Sequence, residues 1–545
     1  MAAEIAEPVE TGRYDDDVEE LDVIIIGAGN LGLYQLYLIK RMGLSVRAYD
    51  DAGGVGGTWY WNRYPGARFD SESESYGYSF SPELTQEWDW KEHFSGQPEN
   101  ERYFNYVADK FDLRDNIVLN TRVVAATYDE SEARWEIELD DGRRSRAQFV
   151  VAAVGILSAH YSPDFPGIDD FEGESFHTSR WPREPVDLRG KRVAVIGAGA
   201  SGVQVCQTIA AEVSQLTVYQ RTPHYLVPLR NGPVTPEEQR QLKDRAAEIH
   251  RLCREVSPVG FMYGPDPRSA LDYSKEERWK VYEELWTRPG FAKFLMNFSD
   301  LWTEDAAADD YSEFVREKIR ERVHDPKVAE KLTPRTYRFG ARRVPCEDNY
   351  YEIFNRNNVE LVSVLDTPIE RITQKGILTS DGEREFDVII YATGFDSITG
   401  SLTRMDIRGV DGQRLADKWT EGFRTLLGMQ TNGFPNLFIA MASSFCNYTV
   451  CAEMVAEWNA NCIEFVRNRN FRSIHPHKEA EDRWMQHVRD AASQGVAKDD
   501  VSSWFKGSNI PGKASSTPLY YFGSLQSYRG ELLNAARTFE EFILE

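Results

Sequence analysis

The chain has few cysteines, and none stand as a Cys-x-x-Cys pair. Cys206, Cys253, Cys346, Cys446, Cys451 and Cys462 are scattered, with no Cys/His group at zinc-ligand spacing. That excludes a zinc-stapled domain and the redox dithiol of a flavin disulfide reductase, and no metal is expected. Reduced, mostly buried thiols are the expectation. Basic charge is also short: 63 Lys and Arg stand against 87 Asp and Glu, for a net charge of -24. Such a surface disfavours nucleic acid and anionic membranes, whose phosphates need cations. No apolar run approaches the ~20 residues that span a bilayer. The opening Met1-Ala-Ala-Glu4-Ile-Ala-Glu7 is acidic and lacks a signal-peptide core. A cytoplasmic protein without membrane or nucleic-acid partners is expected. Low-complexity runs are missing as well.

What is present fits an ordinary globular chain, with 41% hydrophobic and 12% aromatic residues. Its 545 residues suffice for two to four domains. Residues 1–20 read as an acidic, unpatterned arm. Residues 21–26 form a short apolar run ending in glycine, a buried parallel strand, followed by a helix over 31–42 and a strand over 46–50. The same grammar recurs with a strand at 192–196, a helix at 202–213 and a strand at 216–220. Between about 235 and 333 glycine is sparse and charged helical segments dominate, such as 236–256 and 312–324. Strands return at 359–364, 376–379 and 386–392, the last ending in Ala392-Thr-Gly394-Phe395-Asp396, and a helix covers 450–468. The fold class is therefore α/β: two doubly wound Rossmann-like nucleotide-binding domains with a helical insertion. The expected division is an arm at 1–20, a first domain at 21–150 and 386–545, a second at 151–230 and 335–385, and the insertion at 231–334.

Each repeat opens on a glycine fingerprint, Gly27-Ala-Gly29-Asn-Leu-Gly32 and Gly197-Ala-Gly199-Ala-Ser-Gly202. Each follows a strand and opens a helix, so its backbone N–H groups can cradle a pyrophosphate at a helix N-terminus. Two fingerprints imply two dinucleotides. Asp50 lies eighteen residues beyond Gly32, where a carboxylate accepts from ribose hydroxyls. The equivalent place in the second repeat holds Gln220, followed by Arg221 and Thr222. An arginine there grips a 2′-phosphate that a carboxylate would repel, so the second site selects NADP(H).

Two further stretches carry a resemblance. The segment Gly56-Gly57-Thr-Trp59-Tyr-Trp61-Asn-Arg-Tyr64-Pro65-Gly66-Ala-Arg-Phe-Asp70 follows the first fingerprint, and Phe171-Glu-Gly173-Glu-Ser-Phe-His177-Thr-Ser-Arg-Trp181-Pro182 lies between the two. Together they resemble the signatures of the Baeyer–Villiger monooxygenases, flavoproteins that insert one oxygen atom of O2 beside a ketone carbonyl. The resemblance runs over nearly the whole chain beyond the arm. It implies FAD at the first fingerprint, with Gly56, Gly57 and Trp59 against it. Trp61 is expected in the core, and His177 and Trp181 are expected to set domain geometry.

Tyr337-Arg-Phe-Gly340-Ala-Arg342-Arg343-Val-Pro345-Cys346 resembles the family's paired basic residues. By that resemblance Arg342 helps bind the 2′-phosphate, Arg343 is the active-site arginine, and Asp70 orients it and contacts the nicotinamide. Ser503-Trp504-Phe-Lys-Gly507-Ser-Asn509-Ile-Pro511-Gly512-Lys513 resembles the mobile C-terminal loop, with Trp504 over the nicotinamide nucleotide. The chain departs from the family at Met441-Ala442, where Gly-Pro is common, ahead of the substrate-side candidates Phe445, Cys446 and Asn447.

The resemblance implies an NADPH- and FAD-dependent oxidoreductase acting through a C4a-peroxyflavin, turning an apolar ketone, cyclic or aryl, into a lactone or ester with O2. The alternative is a flavin-dependent N- or S-monooxygenase, whose signature normally lacks the Trp-Pro of Trp181-Pro182. A nucleotide-binding sensor without turnover is a further rival. The sequence specifies neither the ketone nor the oligomeric state.

Overall fold

A computed structural model describes residues 18–441, 444–499, 501–513 and 518–545. Most of the expected arm, 1–17, lies outside the described residues, as does Ala442. The first strand is β1 (Glu19–Ile26), whose first two residues pair with Ser145 and Arg146, so Glu19 and Glu20, expected in the arm, belong to the sheet. β1 leads into α1 (Asn30–Arg41), with Lys40 and Arg41 in the last turn where the helix dipole favours cations. β2 (Val46–Tyr49) returns parallel to β1 in the register Val23↔Val46. β3 (Ile117–Val118), β4 (Val123–Asp129), β5 (Arg134–Leu139) and β6 (Arg144–Ala152) complete the early part of this sheet.

The second unit begins with β7 (Glu174–His177), then β8 (Arg192–Ile196), α2 (Ala200–Ile209) and β9 (Gln215–Gln220). After the insertion, β10 (Val359–Ser363) and β11 (Val388–Tyr391) join it, giving the parallel order β10-β9-β8-β11-β7. β11 is thus a central strand of the second sheet, whereas the sequence division put 386–545 with the first unit. Its four residues are all buried, so the run Val-Ile-Ile-Tyr suits either sheet and its pattern could not choose. The expected strand at 376–379 belongs to neither sheet. It is the middle of a small antiparallel meander over 369–385.

The chain then returns to the first sheet through β12 (Asp406–Arg408), parallel to β4, and β13 (Leu437–Phe438), parallel to β6. That sheet has the order β12-β4-β5-β6-β1-β2-β3, with β13 also on β6. The long helix α3 (Tyr448–Asn468) packs on α1, where Asn30 Nδ2 donates to Thr449 Oγ1 (2.8 Å) and Asn459 Nδ2 donates to Gln35 Oε1 (3.1 Å). The insertion is helical as expected. Two of its helices, Pro236–Asp244 and Lys275–Trp286, start at full capping boxes, Thr235 with Glu238 and Ser274 with Glu277. No helix among the described residues is long and apolar enough to cross a membrane.

The cysteines depart from expectation. Cys206, Cys253, Cys346 and Cys462 are free and buried, but Cys446 and Cys451 form a disulfide. A spacing of five does not advertise a bridge, and only the helix start at Tyr448 brings the two together.

Candidate active site

The two fingerprints fold alike for one steric reason. Gly27 has φ +110° and Gly197 φ +112°, and a Cβ on either would collide with a carbonyl oxygen, that of Ala153 just after β6 or that of Ala392 just after β11. Side chains on Gly32 and Gly202 would strike the Gly27 and Gly197 carbonyls, so strand, turn and helix close to backbone contact. Gly29 faces Gly57 so closely that a Cβ on Gly57 would lie 2.9 Å from the Gly29 Cα. Gly199 has nothing within 4 Å of its Cβ direction, which leaves a bare backbone cradle. Asp50 is buried, and its two carboxylate oxygens accept from the N–H of Ala28 (2.6 Å) and Ala52 (2.8 Å). Burial pushes its carboxyl up to about 6. The acid therefore holds the first fingerprint loop while lining the cavity.

Both cradles open on one cavity of about 1230 Å³. The segment after Gly57 spans the two units. Tyr64-Pro65-Gly66-Ala67 is a turn closed by the Ala67 N–H to the Tyr64 carbonyl (3.0 Å), with Gly66 at φ +80°. The turn presses on α2, where Tyr64 Oη donates to Gln204 Oε1 (2.9 Å) and Gln204 Nε2 donates to the Arg68 carbonyl (3.1 Å). This delivers Asp70, 1% exposed, to the cavity edge. Arg343 Nη2 donates to Asp70 Oδ2 (2.7 Å), which also accepts from the Cys346 N–H (3.2 Å). Arg343 Nη1 and Asp70 Oδ1 are buried without a protein partner, and Arg343 lines the cavity.

Arg342 stands beside it, its guanidinium 5.7 Å from the Tyr337 ring centroid, its Nη1 also unpartnered and its acidity strengthened by burial. Arg221 and Thr222 line the same end of the cavity, with Arg221 exposed. Unpartnered buried guanidinium nitrogens beside a bare glycine cradle fit an anionic dinucleotide.

Other expected residues fall as follows. Trp59 is buried and donates through Nε1 to Tyr76 Oη (2.6 Å). Trp61, expected in the core, stands half-buried in the cavity wall with the Arg180 guanidinium 4.2 Å from its ring centroid. Trp504 lines the cavity and packs on Phe505 and Tyr520, with ring centroids 4.6 and 5.6 Å away. Its loop is tied by Asn509 Nδ2 to the Phe395 carbonyl (2.9 Å) and by the Lys513–Asp396 ion pair. Phe445 projects into the cavity at 36% exposure, whereas Asn447 is 1% exposed and donates through Nδ2 to the Ser75 carbonyl (2.9 Å). His177 bridges Ser179 Oγ (2.7 Å) and Thr393 Oγ1 (3.2 Å), and burial lowers it to about 4. It joins the long signature to the Ala392–Asp396 motif and is not among the residues that line the cavity.

Sequence reasoning missed the aromatic wall supplied by the insertion, Phe261, Phe291, Phe294 and Trp302, together with Tyr64 and Gln204. Aromatics at helical spacing carry no mark that separates a cavity wall from a core.

Comparison with known proteins agrees with this geometry. The family model for flavin-binding monooxygenase-like proteins matches residues 20–230. The 2-oxo-Δ3-4,5,5-trimethylcyclopentenylacetyl-CoA monooxygenase of Pseudomonas putida is 44% identical over 501 residues, 90% of this chain and 92% of that protein. A Baeyer–Villiger monooxygenase of Pseudooceanicola batsensis is 40% identical over 520 residues, 94% of each. The crystal structure of OTEMO in complex with FAD and NADP superposes with a TM-score of 0.93 at 42% identity, covering 97% of this chain and 100% of that one. With identity of 40% or more over at least nine-tenths of the chain and the same fold, the chain belongs to the Baeyer–Villiger monooxygenases, within the flavin-binding monooxygenase-like family.

Proposed function

We propose that this protein uses NADPH and O2 to convert an apolar ketone to an ester or lactone, with FAD at the first cradle and NADP(H) at the second. The observation that carries the reading is Arg343, paired with the buried Asp70, on the wall of a cavity onto which both cradles open. FAD, when bound, supplies acceptance of hydride from NADPH and transfer of one O2 atom to the ketone carbon. The remaining work falls to the chain. Gly27, Gly29, Gly32, Asp50, Gly56 and Gly57 would hold the flavin nucleotide. Gly197, Gly199 and Gly202 would hold the pyrophosphate of NADP(H), and Arg221, Thr222 and Arg342 would bind its 2′-phosphate.

Asp70 fixes Arg343 by a charge-assisted hydrogen bond from a site that water does not reach. The unpartnered Nη1 of Arg343 then faces the negative charge that develops on the ketone oxygen, which a fixed cation stabilises strongly in a dry cavity. Phe445 and the insertion aromatics exclude water, and Trp504, on the cavity wall, would cover the nicotinamide side. The first sheet with its C-terminal return is the FAD-binding unit, and the second is the NADP-binding unit. The activity belongs in the cytoplasm, where NADPH is supplied.

The test is a panel of cyclic, aryl and short aliphatic ketones incubated with the FAD-loaded protein, NADPH and O2. Ester or lactone is expected by gas chromatography, with one oxygen atom derived from 18O2. Turnover of amines or sulfides in place of every ketone would overturn the reading.

A further inference from the structure

The loop that brings Phe445, Cys446 and Asn447 into the cavity wall runs directly into α3, and Asn447 occupies the N-cap position. Counted from that cap, Cys446 stands at N′ and Cys451 at N4. Those two positions meet across the first turn, where apolar side chains pack as a hydrophobic staple that fixes the angle of entry into the helix. Here both are cysteines, joined as a disulfide with Cα atoms 6.4 Å apart. The staple positions place the two side chains next to each other across the first turn of the helix.

The pair is asymmetric. Cys451 is fully buried, while Cys446 is half-buried and lines the cavity. The four free cysteines are buried and none lines it. The wall segment is anchored elsewhere by the Asn447 N–H to the Val259 carbonyl (2.8 Å) and the Phe445 N–H to the Tyr521 carbonyl (3.3 Å). The staple therefore acts on a segment whose other supports are already set.

Resting on the ketone reading above, we infer that Cys446 and Cys451 form a reversible redox site whose disulfide and dithiol states set the shape of the substrate wall. The oxidant is hydrogen peroxide, which arises when NADPH, O2 and a proton are consumed without a ketone to give NADP+ and H2O2. The Cys446 sulfur, once its proton is lost, attacks the peroxide. The O–O bond breaks, sulfur keeps one oxygen as a sulfenic acid, and the other oxygen leaves as water with the thiol proton. The Cys451 sulfur then displaces that oxygen, the S–S bond forms, and a second water leaves with its proton. Two thiols and one peroxide thus give one disulfide and two waters, with two electrons passing from sulfur to oxygen. A dithiol reductant reverses the change by exchange. The disulfide pins the Cys446 side chain to the helix, whereas the dithiol lets it rotate and the wall yield to a larger ketone.

The test uses full-length, FAD-loaded enzyme treated with hydrogen peroxide or with dithiothreitol, then alkylated and analysed by peptide mass spectrometry. Peroxide should yield a Cys446–Cys451 crosslink with the other four cysteines alkylated, and dithiothreitol should return all six to the alkylated form. The reduced enzyme should favour a bicyclic over a five-membered monocyclic ketone in kcat/KM on the order of tenfold more than the oxidised enzyme does, the discrimination carried by about one methylene of pocket fit. Cys451→Ala should abolish this dependence. Full alkylation of both cysteines after peroxide, a measurement that needs no variant, would overturn the inference. Ketone turnover that ignores the redox state would overturn it alone. Turnover of no ketone by either form would overturn the ketone reading and this inference with it.

Discussion

Arg343 gives Asp70 one hydrogen bond and keeps its other terminal nitrogen without a protein partner, the arrangement of a cation held ready for a transient anion. Arg343→Ala should lower ester formation by roughly 10²–10³-fold, the cost of losing a preorganised oxyanion partner. FAD content should hold, because its proposed contacts lie between Gly27 and Gly57. Lysine should rescue poorly, since it keeps the charge and loses the planar donors. Product chromatography beside NADPH consumption reads this, and a normal ester yield from the alanine variant would displace the active site. On the same side of the cavity, Arg221→Ala should raise KM for NADPH far more than for NADH. A phosphate left unpaired costs roughly 2–5 kcal/mol, and equal effects on the two nucleotides would refute the assignment.

Two residues beyond Asp70, Glu72 is buried and accepts from Tyr263 Oη at 3.1 Å. Burial, then the nearby Glu74, pushes its carboxyl up to about 8. A raised folded-state value means that the unfolded chain ionises first, so Glu72 costs stability progressively as pH rises from its ordinary range to about 8. Glu72→Gln removes that slope. Between pH 5.5 and 8 the wild type should lose more melting temperature than the variant, and parallel profiles would show that Glu72 titrates normally.

Among elements, the Tyr64–Ala67 turn matters most, because it docks the first unit on α2 of the second. Gly66 is required twice, by φ +80° and by its surroundings, where a Cβ would collide with Thr208 Oγ1 and lie 2.7 Å from the Gln204 carbonyl. Gly66→Ala should cost about 1–3 kcal/mol from backbone strain and overpacking. It should also slow flavin reduction by NADPH, since the Tyr64–Gln204 and Gln204–Arg68 hydrogen bonds that position Asp70 would be displaced. Urea unfolding with stopped-flow flavin absorbance tests both parts. A variant as stable as the wild type and reduced at the same rate would show that the turn is not a coupling element.

For the whole molecule, two sheets facing one cavity mean that each cofactor stabilises the assembly by linkage. FAD at about 100 times its dissociation constant should add about 2.7 kcal/mol, and NADP+ a further increment. Melting curves of the flavin-free, FAD-bound and doubly loaded protein should rise in that order. The NADP+ increment should vanish when Arg221 and Arg342 are both alanine. An undiminished increment in that variant would place the second nucleotide elsewhere.

The sequence by itself determined the paired cradles, because only glycine satisfies the backbone contacts at Gly27, Gly32, Gly197 and Gly202, and steric demands of that kind are local. It also carried the family through long motifs in fixed order, and the insertion through its sparse glycine and charged helical segments. Tertiary structure alone decided which sheet receives β11, since an all-buried strand has no periodicity to assign it. It decided that Trp61 lines a cavity and that Cys446 reaches Cys451. Those outcomes depend on where separate elements dock, and docking is set by the fit of whole surfaces that no short stretch of residues encodes.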